Sequence, residues 1–143
     1  MNPIGIQAQL VKIFNPFLLD GENVIFDTVL ASLNCGCEGK CNCDINYRRN
    51  TGEFIIKECG TYLVNWSVAV EGSYSTSFIR FALKVNNDIY GAVASPISTG
   101  LINGSALVKL KRPNTTVSLT NDTGDVVRLA DITPIANIVI SKT

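Results

Sequence analysis

The chain has 143 residues, of which 46% are hydrophobic and 17% charged, enough apolar sequence to fill the core of one domain and too much for a disordered or low-complexity protein. Its 12 Lys and Arg balance 12 Asp and Glu, which leaves no cationic surplus for nucleic acid or an anionic membrane, and neither is expected as a partner. There is no histidine, which removes His-dependent triads, imidazole bases and the commonest zinc and haem ligands, and most hydrolase mechanisms with them.

In chain order, Met1-Asn2-Pro3-Ile4-Gly5-Ile6 lacks the basic region and long apolar stretch of a secretory signal, so synthesis in the cytosol is expected. The apolar runs are short and broken, well below the roughly 18 residues of a membrane helix. Val24, Ile25 and Phe26 read as a strand, and residues 47–56 read as a hairpin turning at Arg48-Arg49-Asn50-Thr51-Gly52. After Gly60, Tyr62, Val64, Trp66, Val68 and Val70 alternate with Thr61, Asn65 and Ser67, the pattern of a long strand buried on one face. Ile79, Phe81, Leu83 and Val85 repeat it up to a turn at Asn86-Asn87-Asp88, with the return strand starting at Tyr90. Ala106, Val108 and Leu110 follow, then Pro113-Asn114, then Val117 and Leu119. Asn121-Asp122-Thr123-Gly124 offers the next turn, and residues 126–129 and 138–140 supply the last strands. No segment carries a helical period, and short strands at turn-punctuated spacing predict an all-β antiparallel sandwich, jelly roll or barrel in one domain over residues 1–143. Asn-x-Ser/Thr sequons begin at Asn65, Asn103, Asn114 and Asn121, and read as composition in an Asn- and Thr-rich chain.

Tyr47, Phe54, Gly60, Tyr62, Val64 and Trp66 together resemble the signature of the tumour necrosis factor and complement globular-head superfamily, with Val64 where that pattern carries Phe. Residues 8–10 and 24–27 resemble the family's first strands, and the order of the later strands is similar over nearly the whole chain. The run Gly60-Thr-Tyr-Leu-Val-Asn-Trp resembles the bacterial branch, the jelly-roll domains of spore-surface collagen-like glycoproteins and exosporium basal-layer proteins. The resemblance implies a ten-stranded jelly roll that self-associates as a homotrimer or higher polymer, without catalysis or cofactor, on a bacterial spore surface with other spore-surface proteins as partners. No Gly-x-y repeat is present in the chain, so the head is expected without a collagen stalk. The alternative is a soluble trimeric binding head, an adhesin or phage-type module.

A cysteine-rich insertion at about residues 34–44, with Cys35, Cys37, Cys41 and Cys43, interrupts the front of this signature, and Cys59 follows. If Tyr47 pairs with Phe54, the register sum of 101 sets Asn42 opposite Cys59 and Cys43 opposite Glu58. Three fates stay open. Cys35, Cys37, Cys41 and Cys43, or a set that includes Cys59, bind zinc or another soft metal, although their x, x3, x spacing departs from zinc knuckles. Or they form disulfides, the odd count of five leaving one for a link between chains or a free thiol. Or they stay reduced and solvent-facing. The cross-linked reading is preferred, because a spore mother cell releases unexported proteins into an oxidising environment.

Asp122-Thr123-Gly124 is also the tripeptide of aspartic proteases, where paired loops share a proton between two carboxylates. Asn121 stands where an apolar residue is expected and no later apolar-Gly segment supports such a loop, so a turn is the better reading. Trp66 and Tyr62 are expected in the core instead of against a sugar. Asp122, Asp125 and Asp131 match no EF-hand spacing.

Overall fold

The computed structural model describes residues 3–33, 43–73, 77–96 and 99–143. These form strands β1 (Gly5–Leu10), β2 (Phe17–Leu18), β3 (Thr28–Leu33), β4 (Ile45–Arg48), β5 (Glu53–Ile56), β6 (Gly60–Ser73), β7 (Ile79–Val85), β8 (Asp88–Ser95), β9 (Gly100–Leu110), β10 (Thr115–Asn121), β11 (Val127–Leu129) and β12 (Ala136–Lys142), with no helix among the described residues. One sheet has seven strands in the order β2-β11-β6-β12-β1-β3, with β9 on the other edge of β6; the second has five, β4-β5-β10-β7-β8. All the pairings are antiparallel. From β5 onward the chain passes from sheet to sheet, which is the wrapping of a jelly roll.

The alternation read from the sequence decides which side of each strand enters the core. Tyr62, Val64, Trp66 and Val68 of β6 meet Phe54 and Ile56 of β5 and Phe81 and Leu83 of β7 in one apolar cluster, and Ile138 and Ile140 of β12 fill beside them. Each large apolar side chain buried this way contributes roughly 1.5–3 kcal/mol. Trp66 and Phe81 bring their rings to 6.3 Å across the sandwich.

Two hairpins carry the chemistry predicted for them. The β4–β5 register holds the sum of 101 from Ile45↔Ile56 to Arg48↔Glu53, and Lys57 N–H extends it by donating to the Asp44 carbonyl at 2.9 Å. Gly52 closes the turn at φ 77. Val85 pairs with Asp88, so Asn86 and Asn87, at φ 50 and 70, are the two central residues of a tight turn whose twist suits the strands. The return strand therefore starts at Asp88, two residues before the expected Tyr90.

The strand count is twelve among the described residues instead of ten. The strands not read from the sequence are β2 and β3; β2 pairs with β11, the strand expected at residues 126–129, which continues onto the far end of β6. Val24, Ile25 and Phe26 are not a ladder strand. Val24 N–H donates to the Leu119 carbonyl of one sheet and Asp27 N–H to the Gln9 carbonyl of the other, so this segment crosses between sheets and buries Val24 and Phe26 on the way.

Candidate functional site

The signature residues are fold residues. Tyr47 stacks on Phe54 at 4.5 Å, Phe26 lies 5.9 Å from Phe54, and the Tyr47 hydroxyl donates to the Phe26 carbonyl at 2.8 Å. The Tyr62 hydroxyl donates to the Glu58 carbonyl at 2.8 Å. Burial pushes both phenols up to about 12. Gly60 sits at φ 145 under the aliphatic end of Lys142. Tyr62 and Trp66 are buried, so neither offers a ring to a ligand.

Asp122-Thr123-Gly124 is a turn anchored on β7. Thr123 Oγ1 accepts from Arg80 N–H at 3.0 Å and donates to the Arg80 carbonyl at 3.1 Å. Asp122 pairs with the Arg80 guanidinium at 3.1 Å, so its carboxylate faces a cation and not a second carboxylate. Asn121, fully buried, gives its amide to the carbonyls of Leu18 and Asp125 at 2.9 and 3.0 Å, which withdraws that sequon from modification in the folded chain.

Of the cysteines, Cys35, Cys37 and Cys41 lie outside the described residues. Cys43 is disulfide-bonded, and a bonded sulfur is no thiolate ligand. Cys59 is a free, exposed thiol. No group of three or more metal-ligating side chains is found among the described residues.

The feature with the reach of a functional surface is the outer face of the seven-stranded sheet. Reading across β9, β6, β12, β1 and β3, one row runs Leu107, Leu63, Ser141, Gly5, Leu33. The next runs Ser105, Asn65, Val139, Gln7, Ala31, and the third runs Asn103, Ser67, Asn137, Gln9, Thr28. Below them Leu101 faces Ala69. None of these positions is charged. The first charge along β9 is Lys109, opposite Thr61, and the first beyond Ala69 on β6 is Glu71, which pairs with Arg128 at 3.2 Å. The outer side of the five-stranded sheet, by contrast, carries Arg48, Glu53, Arg80 and Lys84.

The middle of this face is ordered by its own hydrogen bonds. Asn137 Oδ1 accepts from Gln7 Nε2 at 2.9 Å and from Gln9 Nε2 at 3.1 Å, tying β12 to β1 above the backbone ladder. Asn65, Ser67, Asn103 and Ser105 form a square of side chains on adjacent strands, two of the four sequons facing one another. Leu101 and Leu107 flank that square, 55% and 61% exposed. An open face that lacks charge, carries isolated leucines and keeps a charged rim has the anatomy of a protein interface core.

No family model and no curated protein matches the chain. Solved structures do. The globular domain of zebrafish complement 1qA protein matches at a TM-score of 0.64 and 16% identity, over 97% of this chain and 94% of that one. Eiger TNF from S. frugiperda matches at 0.66 and 17%, over 100% and 94%. Murine APRIL matches at 0.64 and 9%, over 99% of each. At these identities the likeness is one of fold: the chain has the TNF- and C1q-like jelly roll.

Proposed function

We propose that this protein is a non-enzymatic structural subunit that assembles with copies of itself through the uncharged face of its seven-stranded sheet. The three charge-free rows from β9 to β3 carry this reading, since burying them against another subunit strands no ion. In the fold family that the chain resembles, such association is trimeric, and a trimer is the expected smallest assembly here. The exposed Cys59 thiol supplies a link between subunits once the protein meets an oxidising environment, and covalent links resist the dilution that separates non-covalent oligomers. The resemblance to spore-surface jelly rolls points to a bacterial spore surface layer or appendage.

The test replaces Leu107, 61% exposed and outside the core, by Glu. L107E is expected to fold and to run as a monomer in light scattering where the unaltered protein is a multimer. A multimer of unchanged mass would refute the assignment of this face. The cellular setting has its own test: antibody raised against the domain is expected to label the surface of intact spores of its host, and labelling confined to the cytosol would contradict it. Trimers that pack further into fibrous or insoluble material would support the building block, and a trimer that stays discrete and soluble at every concentration would favour a binding head instead.

A further inference from the structure

Charge balances over the whole chain but not at each end of the sandwich. Most cations among the described residues are engaged. Arg48, Arg80, Arg128 and Lys142 are in ion pairs, Arg49 and Lys84 donate to backbone carbonyls, and Lys12 stands over the Phe14 ring. The side chains of Lys57, Lys109, Lys111 and Arg112 have no ion pair, hydrogen bond or ring contact among the described residues.

These four meet where β9 gives way to β10. Lys109, Lys111 and Arg112, all exposed, line one pocket of about 190 Å³ together with Asn86 and Thr115. Lys57 flanks it: its carbonyl accepts from Asn114 N–H at 3.4 Å, on the loop that carries Arg112 into β10. Asp88 is brought to the same end by its pairing with Val85, another residue of the pocket wall, yet it forms no ion pair with any of the four. The walls are held by hydrogen bonds of their own. Asn86 N–H donates to the Thr116 carbonyl at 2.9 Å and Asn86 Oδ1 accepts from Thr116 N–H at 3.0 Å. The Thr115 hydroxyl donates to the Arg112 carbonyl at 2.8 Å, and Asn114 turns the chain at φ 57. Like charges gathered on a fixed frame repel one another, and with no acid paired to them here their counter-charge comes from outside the chain.

We propose that this pocket binds the tetrahedral oxyanion of a phosphate or sulfate ester. The space is several times the roughly 30 Å³ that a water occupies, enough for one such group and part of its hydration. Arg112 offers a planar fork to two of its oxygens, and Lys109 and Lys111 bring compact charges to the others. A single exposed ion pair is weak, so recognition rests on three cations acting on one group, which favours a group with several charged or acceptor oxygens. The site is complete within one copy, and the proposal therefore stands apart from the self-association reading.

The test is isothermal titration calorimetry of the full chain with three probes: inositol hexakisphosphate, a heparin-derived sulfated tetrasaccharide, and an oligoglutamate of similar charge. At least one of the first two is expected to bind, more weakly as salt rises because exposed charges are screened, and the oligoglutamate to bind about 10-fold more weakly or not at all. Binding of the hexakisphosphate alone assigns a phosphate ester, and binding of the tetrasaccharide alone a sulfate ester. The triple variant K109Q/K111Q/R112Q is expected to lose about 10-fold or more in affinity, while K12Q, which removes a cation elsewhere, binds like the unaltered chain; thermal unfolding confirms that each is folded. Failure of the unaltered chain to bind either ester probe would overturn the proposal. So would equal binding of the oligoglutamate, or a folded triple variant that binds as tightly as the unaltered chain.

Discussion

Trp66 and Gly104 stand directly opposite each other in the β6–β9 ladder, and the indole occupies the space a side chain at 104 would need. A Cβ on Gly104 would lie 2.7 Å from Trp66 Cζ2 and 2.8 Å from Val93 Cγ2. Phe81, with its ring centroid 6.3 Å away, limits how far the indole can shift. Gly104→Ala is therefore expected to destabilise the fold by roughly 1–3 kcal/mol, the usual cost of overpacking. Thermal denaturation reads this as a drop of several degrees in Tm, and an unchanged Tm would show that the indole has room to shift.

Glycines at positive φ separate into two groups. A Cβ at Gly52 would meet the Val24 carbonyl oxygen at 2.5 Å, backbone that cannot move, whereas Gly124, at φ 93, has nothing within 4 Å. Gly52→Ala is expected to cost roughly 2–3 kcal/mol, from left-handed strain and the clash together. Gly124→Ala should cost only the strain, about 1–2 kcal/mol. Chemical denaturation of both variants checks the order, and equal losses would contradict it.

Thr123 is 3% exposed and holds both backbone groups of Arg80. Thr123→Val keeps the shape, removes both hydrogen bonds, and should cost about 1–3 kcal/mol by leaving a buried N–H unpaired. Asp122→Asn, in contrast, breaks a half-exposed ion pair and should change stability by less than about 1 kcal/mol. If Asp122→Asn proved the more damaging in denaturant titrations, the turn would have to be reread around its carboxylate.

The tyrosines set the alkaline limit. Burial raises the Tyr47 and Tyr62 phenols to about 12 in the folded chain, against an ordinary value of about 10 once unfolded. The neutral form is thus favoured by folding. The stability that follows is fully present below pH about 10 and is lost as pH rises toward about 12, where the unfolded chain has already given up its protons. Absorbance at 295 nm should show these two phenols ionising together with loss of the β signal in circular dichroism. Ionisation near pH 10 with the fold intact would contradict the burial argument.

How much of this was legible in the sequence depended on where the physical cause lay. The β4–β5 register was readable because Tyr47 and Phe54 had to share a face and Gly52 had to close the turn; both requirements are local. The Asn86-Asn87 turn was readable for the same reason. β3 was not: Thr28–Leu33 is an edge strand whose pairing with β1 slips at Gln7/Ala8, so its burial does not alternate. Val24 and Phe26 imitated a strand because both are buried, yet their backbone serves two sheets in turn. The uncharged face was half visible. The polar positions of β6 stood out, but that their neighbours on β9, β12 and β1 are equally uncharged follows only from registers joining segments far apart in the chain.

The measurement that tests the central claim most directly is the mass of the purified protein by light scattering, with and without reductant, run beside a non-reducing gel. The account predicts a multimer built on the uncharged sheet face that persists in reductant at high concentration, and disulfide-linked chains that collapse to one band when Cys59 is replaced by Ser. A monomer in both conditions, with five-cysteine and Cys59→Ser chains running alike, would contradict it.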